Sequence, residues 1–366
     1  MCKVINIIKC SIFALFLVVM CALCLFSADK EKSEAENREL AQMPEFSLAT
    51  VKSGEFMGGF ESYALDQFPF RQEFRKLKAI NSEYILNLGD NNGFYKKDGV
   101  IAKITYPLDN ESVTRATEKF NYIFDNFIKG KDMNVYMSVI PDKNDLIGNM
   151  KINKNELLAQ LGEEMPYAEM IDIYDKLSAD DFYVTDHHWK QEEIVEAAQH
   201  IAESMDASVP GDGYTVKTLT DRFYGEYYEQ ALLPADPESI NVLHNEIIDS
   251  YSVTVNGMPS VVYDEEKAKG NSPYDAYLSG AMNGLVTIDN PAANNDKVLY
   301  VFRDSFGSSV IPLIAQGYSK TILIDIRALP SFRVVATLDM MNLNFETADV
   351  LFLYSTLVLN DSSQIN

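Results

Sequence analysis

The run Asp186-His187-His188-Trp189 holds two of the four histidines in the chain and its only tryptophan. A neutral imidazole can take the proton of a hydroxyl group, and a carboxylate on the other ring nitrogen fixes the tautomer and stabilises the imidazolium. An aspartate two residues before a histidine can reach back to that ring in a turn or an extended segment. We therefore predict that Asp186 and His188 form a base with its orienting acid.

A serine that could act as the nucleophile stands in the run Arg303-Asp304-Ser305-Phe306-Gly307. An apolar strand is predicted to lead into this run, and a helix is predicted to begin after Gly307. The hydroxyl of Ser305 would then lie at a strand-to-helix turn. The backbone N–H groups that follow would lie near a helix N-terminus, where they could stabilise an oxyanion. The sequence thus predicts a triad of Asp186, His188 and Ser305.

Each part of this triad also has a purely structural interpretation. The two histidines could be a hydrogen-bonded structural pair, and Asp-Ser after a strand is a common N-cap. A tandem histidine could bind a metal, but the residues at i+4 are Gln191 and Glu192, and only Glu192 is of a ligand type. We predict neither a metal nor a cofactor. Trp189 is interpreted as a packing residue.

The elements that would position these groups alternate between strands and helices. Helices are predicted over 112–128, 190–205, 308–316 and 329–340, and strands over 134–140, 297–302, 320–326 and 350–354. Such alternation is typical of an α/β fold with a mainly parallel sheet covered on both faces. In open α/β sheets, functional sites form at the carboxyl ends of the strands.

Two further segments surround this core pattern. Apolar residues at helical spacing over 56–88 predict two helices that are broken at Pro69, and the turn-rich run 89–99 predicts a short hairpin. The polar stretch 208–293 is interpreted as an irregular insertion.

The first 28 residues differ in kind from the rest. Val4 to Phe26 is an apolar stretch of about 23 residues, long enough to span a bilayer. Lys3 and Lys9 are the only charged residues before Asp29, and both lie near the N-terminal end of the stretch. We predict an uncleaved signal anchor over 1–28 with its N-terminus in the cytoplasm. A tether over 29–55 would follow, and residues 56–366 would form the extracytoplasmic domain.

Charge and cysteine usage exclude several functions. The formal net charge is −23, which argues against binding to nucleic acid and against adsorption of the whole chain to an anionic bilayer. All four cysteines lie within the first 24 residues. The exported chain therefore has no disulfide framework, no cysteine-ligated zinc and no thiol nucleophile.

These residues resemble motifs of the DHHW proteins and of the alginate O-acetylation proteins of the AlgX/AlgJ type, which are similar to SGNH hydrolases. Asp186, His188 and Trp189 match the Asp-x-His-Trp motif, and Asp304-Ser305-Phe306 matches the motif that holds the family's nucleophile. Shorter similar pieces occur in the expected order: Glu36-Asn37-Arg38, Asp66-x-Phe68-Pro69-x-Arg71, Pro141-x-Lys143, Tyr274-x-x-Tyr277-Leu278 and Asp325-x-Arg327.

The resemblance implies a three-layer SGNH-hydrolase-like fold and selects His188 rather than His187 as the base. It also implies acyl chemistry on the hydroxyls of an exported or cell-surface polysaccharide. A membrane-bound acyltransferase could supply the acyl group outside the cell. Arg303, Lys143 and Arg327 are weaker candidates for oxyanion or substrate contacts. An acetyl-esterase with the same triad and a non-catalytic glycan-binding scaffold remain as alternatives.

Overall fold

The computed structural model describes residues 2–33, 38–148, 150–341 and 348–365. Glu36 and Asn37, which belong to one of the short motifs above, lie outside the described residues. The chain forms two compact units, Met1–Asn91 with Glu229–Leu233, and Asn92–Tyr228 with Pro234–Asn366. The predicted domain bounds at residues 28 and 55 stay predictions.

The first unit begins with helix α1 (Cys2–Phe26). Among the described residues, α1 is the one helix long and apolar enough to cross a membrane. A signal sequence and a membrane anchor share these properties. The predicted apolar N-terminal helix is therefore confirmed, whereas its retention and orientation stay predictions.

Short elements complete the first unit. They are β1 (Lys32–Ser33), β2 (Arg38–Glu39), α2 (Leu48–Ser53), α3 (Glu55–Asp66) and α4 (Arg71–Ile80). A π-helical turn, Asn81–Ile85, extends α4. The two helices predicted on either side of Pro69 are confirmed as α3 and α4.

The second unit contains the remaining helices and strands. Its helices are α5 (Asn110–Ile123), α6 (Lys143–Ile147), α7 (Lys154–Glu164), α8 (Val195–Ser204), α9 (Glu226–Ala231, whose last three residues belong to the first unit), α10 (Glu246–Asp249), α11 (Gly307–Ile314), α12 (Ser331–Met341) and α13 (Thr356–Asn360). Its strands are β3 (Phe94–Lys97), β4 (Val100–Lys103), β5 (Met133–Ile140), β6 (Glu169–Ile171), β7 (Thr215–Phe223), β8 (Glu238–His244), β9 (Ser252–Val255), β10 (Met258–Ser260), β11 (Leu285–Asp289), β12 (Val298–Arg303), β13 (Lys320–Ile324) and β14 (Ala348–Ser355).

The main sheet of the second unit has eight strands in the order β10-β9-β11-β13-β12-β14-β5-β6. The strands from β13 to β6 pair in parallel, and β11, β9 and β10 extend the sheet in antiparallel fashion. The pairs β3–β4 and β7–β8 form separate hairpins. The prediction of a mainly parallel α/β sheet is confirmed, as is the hairpin predicted near Phe94.

Both faces of the sheet are buried. Successive side chains of each strand point to opposite sides, so that each strand contributes to both faces. Tyr300, Phe302 and Phe352 pack on the side that carries α5, α7 and α12. Leu299 and Val301 pack on the opposite side against α8 and α11. The result is the predicted three-layer arrangement, in which all parallel strands direct their carboxyl ends to one edge.

The stretch 208–293 corrects one prediction, because it is not irregular. It contains the strands β7 to β11, and β9, β10 and β11 join the main sheet. β9, β10 and β11 are short, and all five strands contain polar residues, so that their sequences lack the apolar run of a buried strand. Sheet pairing supplies the order that local sequence does not predict.

Candidate active site

The structure brings Asp186, His188 and Ser305 together at the carboxyl edge of the sheet. Ser305 lies in the turn between β12 and α11, and its Oγ is 2.7 Å from Nε2 of His188. Nδ1 of the same ring is 2.6 Å from Oδ1 of Asp186. Both distances are within the hydrogen-bond reach that proton transfer needs. Ser305 is half-buried, whereas Asp186 and His188 are buried.

The carboxylate of Asp186 is fixed by the backbone as well as by the ring. Its Oδ1 accepts a hydrogen bond from the backbone N–H of His188, and its Oδ2 accepts one from the N–H of Glu226, both at 2.9 Å. These donors leave Nδ1–H of His188 as the natural third donor. Nε2 then faces Ser305 as an acceptor, which is the tautomer that a general base requires.

The Asp186 segment is a tight loop rather than a strand that meets a helix. An isolated antiparallel bridge joins Phe182 to Trp189, and α8 begins only at Val195. The prediction of a helix from residue 190 was therefore five residues too early. Inside the loop, the carbonyl of His188 accepts a hydrogen bond from the N–H of Tyr183 at 3.0 Å.

Glu238, at the start of β8, holds this loop from outside. Its carboxylate accepts the backbone N–H groups of Val184 and Thr185 at 2.8 and 2.9 Å, and the Thr185 hydroxyl at 2.7 Å. The hydroxyl oxygen of Thr185 in turn accepts the N–H of Gly225 at 3.1 Å. The loop is thus ordered by charge-assisted hydrogen bonds to a distant residue.

Gly225 lies so close to Asp186 that it has no room for a side chain. A Cβ at this position would collide with Cβ and Oδ2 of Asp186. The backbone therefore approaches the carboxylate closely because residue 225 is glycine.

Two aromatic residues support the imidazole. The ring of Tyr274 is stacked on that of His188, and its hydroxyl is 2.7 Å from Oγ of Ser309. Nε1 of Trp189 donates to the same Oγ at 2.8 Å. Trp189 is completely buried, which confirms its interpretation as a packing residue.

The charge on Asp186 is stabilised by its neighbours. Burial alone would raise the pKa of its carboxyl group, but His187, His188 and the hydrogen bonds described above hold that pKa well below its usual range. Burial, together with the adjacent His188, lowers the pKa of His187 to about 4. His187 is therefore neutral at neutral pH.

The structure distinguishes the two histidines by geometry. Only His188 bridges Asp186 and Ser305, whereas Nδ1 of His187 is 3.6 Å from Oδ1 of Asp186. The His187 ring lies against that of His188, with 3.8 Å between the ring centroids. His187 thus lies beside His188 without contacting Ser305.

The backbone around Ser305 differs from the expectation for an oxyanion site. The N–H groups of Phe306, Gly307 and Ser308 are all occupied, by Oδ1 of Asp304, the carbonyl of Asp304 and the carbonyl of Ser305, respectively. In the described part of the chain, the N–H of Ser305 itself donates to no protein acceptor. That group, next to the hydroxyl, is the available backbone donor.

Asp304 closes the turn from the other side. Its Oδ1 accepts the N–H of Phe306 at 3.1 Å, and its Oδ2 accepts the N–H of Ser355, at the end of β14, at 2.7 Å. Asp304 therefore ties the Ser305 turn to the neighbouring strand. Neither residue is the N-cap of α11, since that position is Phe306 and no side chain caps it. Asp304 instead holds the turn before the helix, and Ser305 remains available to His188.

Lys143 is fully buried behind the Asp186 loop. Its Nζ donates to the carbonyl of Tyr183 at 2.7 Å and to that of Val184 at 3.1 Å. Burial lowers its pKa, which neighbouring Asp142 opposes. The structure thus gives Lys143 a contact to the loop backbone, and its predicted role at the oxyanion or substrate stays a prediction.

Arg303 and Arg327 both face Asp325, after the end of β13. Arg327 donates to this carboxylate at 2.7 and 3.0 Å, and Nη1 of Arg303 is 3.6 Å from it. Arg303 is also completely buried and donates to the carbonyls of Asp304 and Gly280. Their predicted contacts with a substrate stay predictions.

Asp186, His187 and His188 also form a set of possible metal ligands. Ligand atoms of Asp186, His187 and His188 all lie within 4.8 Å of one another, so this group could hold a metal ion. Sequence spacing had pointed to Glu192, whose carboxylate instead accepts a hydrogen bond from Asn241. However, both ring nitrogens of His188 already have hydrogen-bond partners, Nδ1 with Asp186 and Nε2 with Ser305. This arrangement favours proton transfer over metal binding.

Sequence reasoning assigned no role to Tyr274, Gly225 or Glu238. Tyr274 belongs to the motif Tyr274-x-x-Tyr277-Leu278, which is the one sequence signal that could have identified it. Gly225 lies against Asp186, 39 residues earlier in the sequence, and Glu238 bonds to Val184 and Thr185, more than 50 residues earlier. No local sequence pattern identifies either residue.

Comparison with solved structures shows the fold of the chain. A DHHW family protein from Eubacterium siraeum matches with a TM-score of 0.59 and 18% sequence identity, over 75% of this chain and 95% of that chain. The chain has the fold of a DHHW protein. The resemblance predicted from the motifs is thereby confirmed at the level of the fold.

Bacillus cereus PatB1 shares this fold. Its structure with a sulfonyl adduct matches with a TM-score of 0.58 and 19% identity, over 73% of this chain and 95% of that chain. A second PatB1 structure gives a TM-score of 0.56 and 18% identity, over 74% and 97% of the two chains. No family model matches the chain, and no curated protein matches it.

Proposed function

We propose that the second unit transfers acetyl groups to the hydroxyls of an exported or cell-surface polysaccharide through an acyl-Ser305 intermediate. The observation that carries this proposal is the hydrogen-bonded chain from Asp186 through His188 to a half-buried Ser305, with links of 2.6 and 2.7 Å. A serine with only a structural role has no need of an oriented imidazole and a buried, ionised carboxylate.

In the first half-reaction, Nε2 of His188 takes the proton of Ser305 while Oγ attacks the carbonyl carbon of the acetyl donor. The N–H of Ser305 is placed to donate to the resulting oxyanion. Collapse of the intermediate breaks the bond to the leaving group, which receives the proton from His188. The acetyl group is then an ester of Ser305.

In the second half-reaction, a sugar hydroxyl gives its proton to His188 and attacks the acyl carbon. The new ester leaves with the sugar, and His188 returns the proton to Oγ of Ser305. If water takes the place of the sugar, the same steps describe an acetyl-esterase. The acceptor alone separates the two activities.

Two further features fit the proposal. The apolar helix α1 could keep the catalytic unit at an extracytoplasmic membrane surface, close to a membrane-bound acyltransferase that supplies the acetyl group. The sulfonyl adduct of PatB1, a protein of the same fold, suggests a reagent for this chain. Sulfonyl fluorides react with activated hydroxyl groups, so we expect them to modify Ser305.

The test uses the full chain in detergent, an activated acetyl ester as donor and a neutral glycan as acceptor. We expect acetylated glycan as the product and one acetyl group on Ser305 in the absence of glycan. Ser305→Ala abolishes both, whereas Ser250→Ala, which changes an exposed serine at the end of α10, leaves them unchanged.

The outcomes separate the alternatives. Free acetate without acetylated glycan would identify an esterase and contradict the transfer. If a sulfonyl fluoride leaves Ser305 unmodified and glycan binding survives in His188→Ala, the chain is a non-catalytic glycan-binding protein.

A further inference from the structure

The imidazole of His187 has no hydrogen-bond partner in the part of the chain that the structure describes. Its Nδ1 is 3.6 Å from Oδ1 of Asp186 and 4.0 Å from Oε2 of Glu226, and both distances exceed the length of a hydrogen bond. The side chain is only 16% exposed. Because polar groups with so little exposure are normally hydrogen-bonded, His187 is expected to bind water or a ligand.

The rings of His187 and His188 lie side by side. Their centroids are 3.8 Å apart, with 36° between the planes. Nδ1 of each ring lies near the same oxygen, Oδ1 of Asp186, at 2.6 Å for His188 and 3.6 Å for His187. The ring of Phe306, the residue after Ser305, is 5.7 Å from that of His187. His187 therefore lies beside the groups that exchange the proton.

The neighbouring carboxylates select the tautomer of His187. Asp186 and Glu226 both lie on its Nδ1 side, so that their negative charges favour a proton on Nδ1. Nε2 then carries a lone pair and can accept a hydrogen bond from a hydroxyl group. His188 has the same tautomer for the same reason. The two rings thus offer two neighbouring acceptor atoms.

We propose that His187 selects the acceptor of the acyl transfer, by accepting a hydrogen bond from the hydroxyl next to the one that is acylated. The attacking hydroxyl gives its proton to Nε2 of His188. Its neighbour keeps its proton and donates a hydrogen bond to Nε2 of His187. The substrate class is then a polysaccharide with a free pair of adjacent hydroxyls. This inference rests on the proposed function and specifies its acceptor.

The chemistry of the acceptor agrees with two adjacent rings. Neighbouring hydroxyls of a sugar are close enough together to reach two imidazoles in contact, whereas water has a single oxygen. Packing alone does not explain a histidine at position 187, whose ring lies against those of Tyr227, Phe306 and His188. An apolar ring would make these contacts without the cost of unpaired nitrogens.

The test compares two isomeric acceptors with the full chain. One is the cyclohexanediol with its hydroxyls on adjacent carbons, and the other has them on opposite carbons. The two isomers have the same number of hydroxyls and the same ring. An activated acetyl ester supplies the acyl group, and the buffer and the detergent contain no hydroxyl groups. Acetylated diol and free acetate are quantified together, so that transfer and hydrolysis are measured in one experiment.

We expect the wild type to acetylate the adjacent diol roughly three- to tenfold faster than its isomer, which is the range of one neutral hydrogen bond. His187→Phe keeps a ring against His188 and should remove this preference while the release of acetate stays nearly unchanged. His187→Gln retains an acceptor oxygen and should keep part of the preference. His200→Phe, the matched control in α8, should keep all of it.

Equal rates for the two diols in the wild type would overturn the proposal, and so would an undiminished preference in His187→Phe. A parallel fall of transfer and hydrolysis in His187→Phe would also overturn it, because His187 would then only support the structure of the site.

Failure of the proposed function gives a different result. In that case Ser305 carries no acetyl group, or neither diol is acetylated, and the inference about His187 fails with it. A chain that acetylates both diols equally through Ser305 would retain the proposed function and contradict only the role of His187.

Discussion

The imidazole of His188 lies almost parallel to the ring of Tyr274, with 3.8 Å between the ring centroids and 14° between the planes. Tyr274 is buried, and its hydroxyl bonds to Ser309, which also accepts the indole N–H of Trp189. The imidazole of His188 therefore rests on a ring that is itself fixed at its far end. Ring stacking restricts rotation of the imidazole toward or away from Ser305.

Tyr274→Leu should lower kcat, because the imidazole loses the surface that orients it. Tyr274→Phe keeps the stacked ring and loses only the bond to Ser309, so its kcat should stay near that of the wild type. Misplaced catalytic groups commonly cost roughly 100-fold in rate. Steady-state kinetics with an activated acetyl ester measures both variants. Equal losses of kcat would assign the effect to the hydroxyl and not to stacking.

His188→Gln should reduce acyl-enzyme formation by about 10³-fold or more, since the general base is lost. His187→Gln changes the neighbouring imidazole and should reduce it by less than about tenfold, because His187 makes no bond to Ser305. The rate of acetylation of Ser305, followed by mass spectrometry, gives both values. A larger loss in His187→Gln than in His188→Gln would reverse the assignment of the base.

The low pKa of His187 predicts a pH dependence of stability. Its pKa is about 4 in the folded chain and 6.5 in the unfolded chain, so between these values the unfolded state binds more protons. Stability contributed by neutral His187 is therefore complete above about pH 6.5 and is lost as the pH falls toward 4. From pH 8 to pH 5 the loss is about 2 kcal/mol.

Denaturant unfolding at pH 8 and pH 5 measures this loss. His187→Gln cannot be protonated, so its free energy of unfolding should fall by about 2 kcal/mol less than that of the wild type over the same interval. Parallel losses in the two chains would show that His187 is not held neutral by the fold.

Gly225→Ala should destabilise the chain and displace Asp186, because the new methyl group would occupy the space of the carboxylate. Overpacking of this kind costs typically about 1–3 kcal/mol. Gly162→Ala is the matched control, since Gly162 lies within α7 and has nothing near the position of an added Cβ. This control should be more stable by about 0.5–1 kcal/mol.

Thermal unfolding and acetylation of Ser305 are measured for both glycine variants. Gly225→Ala should lose stability and activity together, and Gly162→Ala should keep its activity. An active and stable Gly225→Ala chain would mean that the backbone at residue 225 moves aside without disturbing Asp186.

The sequence predicted the parallel core of the fold because its strands are buried on both faces. Strands β5, β12 and β14 are almost continuous apolar runs, which is the pattern of such strands. In β9 and β11, polar residues alternate with apolar ones over only four or five positions. Such a short run becomes a strand through sheet pairing, of β11 with β13 and of β9 with β11, which no local pattern reveals.

The candidate site divides in a similar way. Asp186, His188 and Ser305 were predicted because their chemistry restricts which residue types can serve. The groups that hold them were not, because a tyrosine that stacks, a glycine that leaves space and a glutamate that accepts backbone N–H groups are common residues. Their roles depend on tertiary contacts. Lys143 and Arg303 were predicted as polar site residues from their charge and their positions near a motif. In the structure, Lys143 bonds to backbone carbonyls and Arg303 lies against Asp325.

The position of β14 has a consequence for the order of folding. This strand, residues 348–355, lies between β12 and β5. The N–H of its last residue, Ser355, donates a hydrogen bond to the carboxylate of Asp304, beside the Ser305 turn. A growing polypeptide therefore carries both neighbours of the gap long before the strand that fills it. Until β14 has been synthesised, the sheet stays divided and the Ser305 turn is incomplete, so an incomplete chain has no means to acquire the acyl-transfer chemistry proposed for the folded one.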